Sequence, residues 1–204
     1  MELVLIRHGL PMREENEIGG KPADPPLSEE GHRQARLVAE WLAPEGFDVV
    51  YSSPMQRALQ TAQPLADLLG LDVIVDDELA ELDRGHHFYI PIEELKATGD
   101  PRYEQLLKGE LYGDVDMETF GRVSSLAVQR VLESNPGKRI ALFAHGGVIN
   151  AFASRMLELD RWFFFSPHYT GVSRFKSSPY TDKLGLWSLN ELAHLRTTDV
   201  PAGG

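Results

Sequence analysis

Four short apolar runs recur along the chain: Leu3 to Ile6, Phe47 to Tyr51, Val73 to Val75 and Ile140 to Phe143. Each is too short for a helix and rich in β-branched or aromatic side chains, which is the signature of a buried strand. Between them lie longer stretches with helical spacing. Ser28 can cap a helix whose apolar positions are Ala35, Val38, Ala39 and Leu42. Ser53-Pro54 reads as a cap followed by a first-turn proline, opening a helix through Ala58, Ala62 and Leu65 that Pro64 is expected to kink. Further helices are expected over about Glu118 to Leu132, and from Gly146-Gly147 to about Leu157. Strands that alternate with helices demand crossover connections. The expected fold is therefore α/β, three layers with a mainly parallel central sheet and helices on both faces.

Residues 86–117 break this rhythm and read as a small helical insertion. Thr170 to Phe175 and Leu184 to Leu189 read as two later strands near a sheet edge. The prolines and glycines of residues 19–26 mark a surface loop, and 197–204 a frayed polar tail. With 204 residues, 42% hydrophobic and 25% charged, the expectation is one domain over 1–204.

Charge narrows the function. Twenty Lys and Arg against 31 Asp and Glu leave a net charge of −11, which disfavours nucleic acid and anionic membrane as partners. The chain has no cysteine, so thiolate metal sites and cysteine nucleophiles are excluded. No apolar run is long enough to span a bilayer, and MELVLIRHGL lacks the basic start of a signal peptide. A cytoplasmic location is expected. Oligomeric state is open, a homodimer included.

The reactive residues sit at informative places. Arg7-His8-Gly9 ends the first expected strand. Ser52-Ser53 ends the second, with Arg57 one turn into the following helix. Glu81 and Asp83 follow the third, and His145-Gly146-Gly147 ends the fourth. In an open α/β sheet the carboxyl ends of the strands line the ligand crevice, so four separate segments deliver these groups to one edge. Two guanidiniums match the oxygens of a phosphoryl group. A histidine among cations loses its proton readily, and a neutral imidazole can attack phosphorus. A carboxylic acid at Glu81 or Asp83 could protonate the departing oxygen.

These motifs resemble the histidine phosphatase superfamily, in its phosphoglycerate-mutase-like branch. The resemblance rests on LIRHG at 5–9, Ser52-Ser53-Pro54-Met55-Gln56-Arg57-Ala58 with Thr61-Ala62, Glu81 four residues before Gly85, and His145-Gly146-Gly147. It implies a phosphoglycerate-mutase-like fold with His8 as the nucleophile that becomes phosphohistidine. It further implies that Arg7, Arg57 and His145 cradle the phosphoryl group with His8, and that Glu81 donates the proton. It implies no metal and no cofactor, and a small phosphorylated substrate. Leu10-Pro11 and Glu14 stand where many members carry other residues, with Asn16 two positions beyond. This places the departure in the substrate-binding loop rather than in the phosphoryl chemistry.

The reading is a metal-independent phosphomonoesterase. A cofactor-dependent phosphoglycerate mutase and a module that only binds phospho-ligands are the alternatives. Specificity is expected in residues 10–26, in the insertion and in the loop near 166–170. Arg84 and His168 are given no role, and His86-His87 reads as a loop pair rather than a metal site. Trp162-Phe163-Phe164-Phe165 reads as core packing.

Overall fold

The computed structural model describes residues 1–107, 111, 113, 115–177 and 183–196. Six strands form the main sheet: β1 (Glu2–Arg7), β3 (Val49–Ser52), β4 (Val73–Val75), β6 (Arg139–Ala144), β7 (Val172–Ser177) and β8 (Leu184–Glu191). Their order is β4-β3-β6-β1-β7-β8. β4, β3, β6 and β1 are parallel to one another, and β7 pairs antiparallel with both β1 and β8, so the sheet is mixed and mostly parallel. A second, two-stranded sheet pairs β2 (Glu14–Glu15) with β5 (Phe88–Tyr89).

Alternation along the central strands feeds two cores. Val4 and Ile6 face α1 (Glu29–Leu42) and α2 (Gln56–Leu69), and pack with Val38, Leu42, Ala62 and Leu65. Leu3 and Leu5 face the other way, onto Val128, Val131, Ile149 and Phe152 of α5 (Met117–Glu133) and α6 (Gly146–Met156). Because helices cover both faces, β1 reads as an unbroken apolar run. Between β5 and α5 lie two short helices, α3 (Ile92–Thr98) and α4 (Pro101–Leu107). Among the described residues no helix is long and apolar enough to cross a membrane.

Several local expectations shift. Ser28 does cap α1, its Oγ accepting from Gly31 N at 3.1 Å. Ser53 does not cap α2. The helix begins at Gln56, whose N–H donates to Asp24 Oδ1 at 3.0 Å, so the cap comes from the 19–26 loop, while Ser53 Oγ accepts from Met55 N at 3.3 Å, ahead of the helix. Pro64 lies inside α2 without ending it. Val73 to Val75 is an edge strand rather than a buried one, with Ile74 and Val75 about half exposed, at 44% and 51%. β7 starts at Val172 and not at Thr170, because Thr170 is left-handed (φ 54°) and turns its N–H back onto Arg7 O. The tail from 197 and part of the 86–117 segment lie outside the described residues.

Register fixes what stands at the sheet edge. Arg7 pairs with Ala144, and Ser52 with Phe143. The ladder continues one step, through His8 N to Ala144 O and Ser53 N to Phe143 O, both at 3.0 Å. His8, Ser53 and His145 therefore leave three adjacent strand ends together.

Candidate active site

The nucleophile candidate is held by its backbone. Gly9 N donates to Thr61 Oγ1 at 2.9 Å, and Thr61 in turn donates to Arg57 O. A side chain on Gly9 would place its Cβ 2.7 Å from Gly31 O, so only glycine lets the strand end approach α1 this closely. The His8 ring is oriented by Nδ1, 2.8 Å from Gly9 O. A carbonyl only accepts, so Nδ1 carries the proton and Nε2 keeps its lone pair. Burial and then the Arg57 and Arg7 charges hold the His8 pKa well below the ordinary value, and the imidazole is neutral near pH 7.

His145 lies beside it, with ring centroids 5.1 Å apart. Its Nε2 meets Ser53 Oγ at 2.7 Å, while Nδ1 is buried with no protein partner. Burial and then Arg57 lower its pKa too. Two neutral buried histidines couple stability to pH. In the unfolded chain each takes a proton below about pH 6.5, which the folded chain refuses, so stability falls as pH drops through that value. The expected loss between pH 7 and 5.5 is about 1 kcal/mol per histidine. Urea unfolding midpoints at the two pH values measure it, and His145→Gln should shrink the loss.

The guanidiniums are held without being used up. Arg57 is fully buried; its Nη2 bonds Asp83 Oδ1 and Oδ2 at 2.8 and 3.0 Å, and its Nε and Nη1 have no protein partner. Arg7 gives Nη1 to Pro167 O at 2.7 Å and keeps Nε free of any protein partner. Each also lies against an aromatic face, Arg7 on Tyr169 at 4.1 Å and Arg57 on Tyr89 at 4.6 Å. These contacts steady a cation while leaving its charge intact. Asp83 is therefore committed to Arg57. Asp83→Ala would strand a buried cation, and an expected loss of about 3–5 kcal/mol should appear in denaturant unfolding.

Glu81 is the carboxyl that remains. Its Oε2 accepts from Gly147 N at 2.7 Å and Oε1 from Leu82 N at 3.0 Å. A Cβ on Gly147 would lie 2.2 Å from Oε1, so this glycine makes room for the acid. Burial, and then the Asp83 charge, push the Glu81 pKa up to about 7. At that value the group can hold or release a proton under ordinary conditions.

Arg7, His8, Arg57, Glu81 and Asp83 share one cavity of about 590 Å³. His145 stands behind it, against the His8 ring. The loop over residues 10–26 contributes nothing to the lining, contrary to the expectation that it would shape specificity. Pro11 bridges to Leu27, Leu10 N bonds Gln34, and Asn16 is tied to Glu14 and Lys21, so the segment is used up in structure. Neither His86 nor His87 nor His168 is among the lining residues. The aromatic run divides: Phe164 packs on the core, Trp162 lies against Gly121, Phe163 lines the cavity, and Phe165 both packs on the core and lines the cavity. No sequence pattern points to the tyrosines on the guanidiniums or to the Ser53–His145 bond, since all three depend on contacts between distant segments.

A family model for the histidine phosphatase superfamily (branch 1) matches residues 3–190. The chain belongs to that superfamily. Among curated relatives of this histidine phosphatase, phosphoserine phosphatase 1 of Hydrogenobacter thermophilus is 31% identical over 173 residues, 81% of each chain. A Yersinia enterocolitica protein named "Probable phosphoglycerate mutase GpmB" is 32% identical over 164 residues, 78% of this chain and 76% of that one. The fold matches a crystal structure of an Entamoeba histolytica phosphoserine phosphatase in complex with phosphoserine. The TM-score is 0.74 at 26% identity, covering 96% of this chain and 99% of the other.

Proposed function

We propose that this histidine phosphatase is a metal-independent phosphomonoesterase in which the phosphoryl group passes to Nε2 of His8 and then to water. The observation that carries the reading is the nucleophile itself. Nε2 is neutral and unprotonated, because Gly9 O holds the proton on Nδ1, and His8 lines a cavity with two guanidiniums that retain unused N–H groups.

In the first step the Nε2 lone pair attacks phosphorus in line with the ester oxygen. Arg7 and Arg57 face the charge on the equatorial oxygens and supply the positive field that the transition state requires, and His145, which is neutral, donates from Nδ1, the ring nitrogen that no protein group engages. The P–O bond breaks as the Glu81 carboxyl gives its proton to the leaving alkoxide. In the second step the Glu81 carboxylate takes a proton from water, and the oxygen attacks phospho-His8. Phosphate leaves, Nε2 recovers its electron pair, and Glu81 is again protonated. The sum is ester plus water to alcohol plus phosphate.

The relatives named as phosphoserine phosphatases favour hydrolysis, while the relative named as a mutase keeps transfer to a second hydroxyl as the alternative. The discriminating experiment incubates the protein in EDTA with 4-nitrophenyl phosphate and, separately, with 3-phosphoglycerate and bisphosphoglycerate. Phosphate release in EDTA with an acid-labile, base-stable phosphoprotein in quenched samples is expected. Isomerisation of phosphoglycerate without phosphate release would make the protein a mutase, and tight phosphate binding with neither reaction would make it a binding module.

A further inference from the structure

The cavity is built in two unlike halves. At its floor every charged lining side chain has a task. Arg57 is paired with Asp83, Glu81 is held by two backbone N–H groups, and Arg7 and His8 face the phosphoryl position. Above them the walls are mostly apolar, the hydroxyls of Tyr89, which lies against Arg57, and of Ser166 being the exceptions beside Asn150. Ile90, Ile92, Leu95 and Leu106 come from the stretch of β5 to α4, and Phe163 and Phe165 from the loop after α6. Asn150, a polar lining residue, spends both ends of its amide on backbone: Nδ2 donates to Gly146 O and Phe165 O, and Oδ1 accepts from Phe164 N and Phe165 N. Among the described residues the lining holds no cation beyond Arg7 and Arg57.

A substrate that places its phosphoryl group on the floor must lay its alcohol portion against these walls. Among the described residues a carboxylate there would meet no cation beyond the two that face the phosphoryl position, and a buried charge without a partner is heavily penalised. An apolar group of matching size would be favoured in proportion to the surface it buries. We propose that the alcohol released by this site is apolar, an aryl or medium-chain alkyl group, rather than a small carboxylate-bearing alcohol such as serine or glycerate. This rests on the phosphomonoesterase reading and deepens it.

The test is a series of primary alkyl phosphates, ethyl, butyl and hexyl, set beside phosphoserine and 3-phosphoglycerate. The alkyl esters share nearly the same leaving-group basicity, so differences in kcat/KM report wall contact rather than bond cleavage. An increase of about two- to fourfold per methylene is expected, with hexyl phosphate well above both carboxylates. Phe163 is 43% exposed, so Phe163→Ala should fold, and it should cut the hexyl-to-ethyl ratio at least threefold. A flat alkyl series with phosphoserine or 3-phosphoglycerate tenfold better overturns the proposal and leaves a phosphatase. A rising series whose ratio moves in neither Phe163→Ala nor Ile92→Ala overturns the assignment to these walls. Absence of phosphate release from every compound overturns both the proposal and the reading beneath it.

Discussion

His8→Ala will lower kcat for phosphate-ester hydrolysis by about 10⁴-fold or more, while the variant still binds inorganic phosphate. The argument is that no other side chain in the cavity can take the nucleophile's place. His145 stands behind the cavity with Nε2 on Ser53, Arg57 and Asp83 are joined, and Glu81 is held by Gly147 and Leu82. The phosphate cradle, by contrast, rests on Arg7 and Arg57, whose free N–H groups do not depend on the His8 ring. Steady-state turnover and phosphate titration calorimetry, run on the same preparation, separate the two properties. Retention of more than a tenth of the wild-type rate would sink the phosphohistidine mechanism. Loss of phosphate binding together with loss of the folded circular dichroism spectrum would show a structural role for His8 instead.

Glu81→Gln carries the second large effect. With alkyl phosphates the first step needs a proton on the leaving oxygen, and removing a general acid costs about 10²–10⁴-fold. With 4-nitrophenyl phosphate the leaving phenolate is stable without a proton, so the loss should be much smaller. The pH dependence has a definite sign. Glu81 must be protonated in the free enzyme, its pKa is pushed up to about 7, and its protonated fraction falls above that value. Wild-type kcat/KM for an alkyl ester should therefore decline tenfold per pH unit above about 7, and Glu81→Gln should lose that limb. His8 imposes no opposing limit in this range, because burial and its arginine neighbours already keep it neutral. Equal losses on both substrate types, with an unchanged alkaline limb, would pass the acid role to another group.

The floor of this site was legible in the sequence because strand ends are. A short apolar run predicts where a strand stops, and in a parallel sheet the stops converge, so Arg7, His8, Arg57 and Glu81 could be placed together before any contact was known. His145 followed from the same rule. The choice between Glu81 and Asp83 was not legible: both lie two residues apart on one loop, and only the Arg57 pairing tells them apart. Ser53 misled because a serine before a proline is a sound local reason for a cap, yet Asp24 from a distant loop caps the first helical N–H, and Ser53 is shared between Met55 N and His145. The walls were hidden for a related reason. Phe163 and Phe165 have the composition of core residues, and spacing alone cannot say which members of an aromatic run reach a cavity. Thr170 escaped because its left-handed turn is fixed by Arg7 O, not by its sequence neighbours.

The separation of floor from walls bears on how such a protein changes over generations. Arg7 and His8 leave the end of β1, and Arg57 stands in the first turn of α2 directly after β3, where a shift in either would disturb the sheet register shared by β1, β3 and β6. The apolar groups come from short helices and a connecting loop outside that sheet. A replacement at Ile92 or Phe163 can thus reshape the space for the alcohol without moving a donor or altering a charge near phosphorus. New substrates become reachable by single steps that keep the reaction itself running, and one scaffold can diversify in what it releases while its chemistry is inherited unchanged.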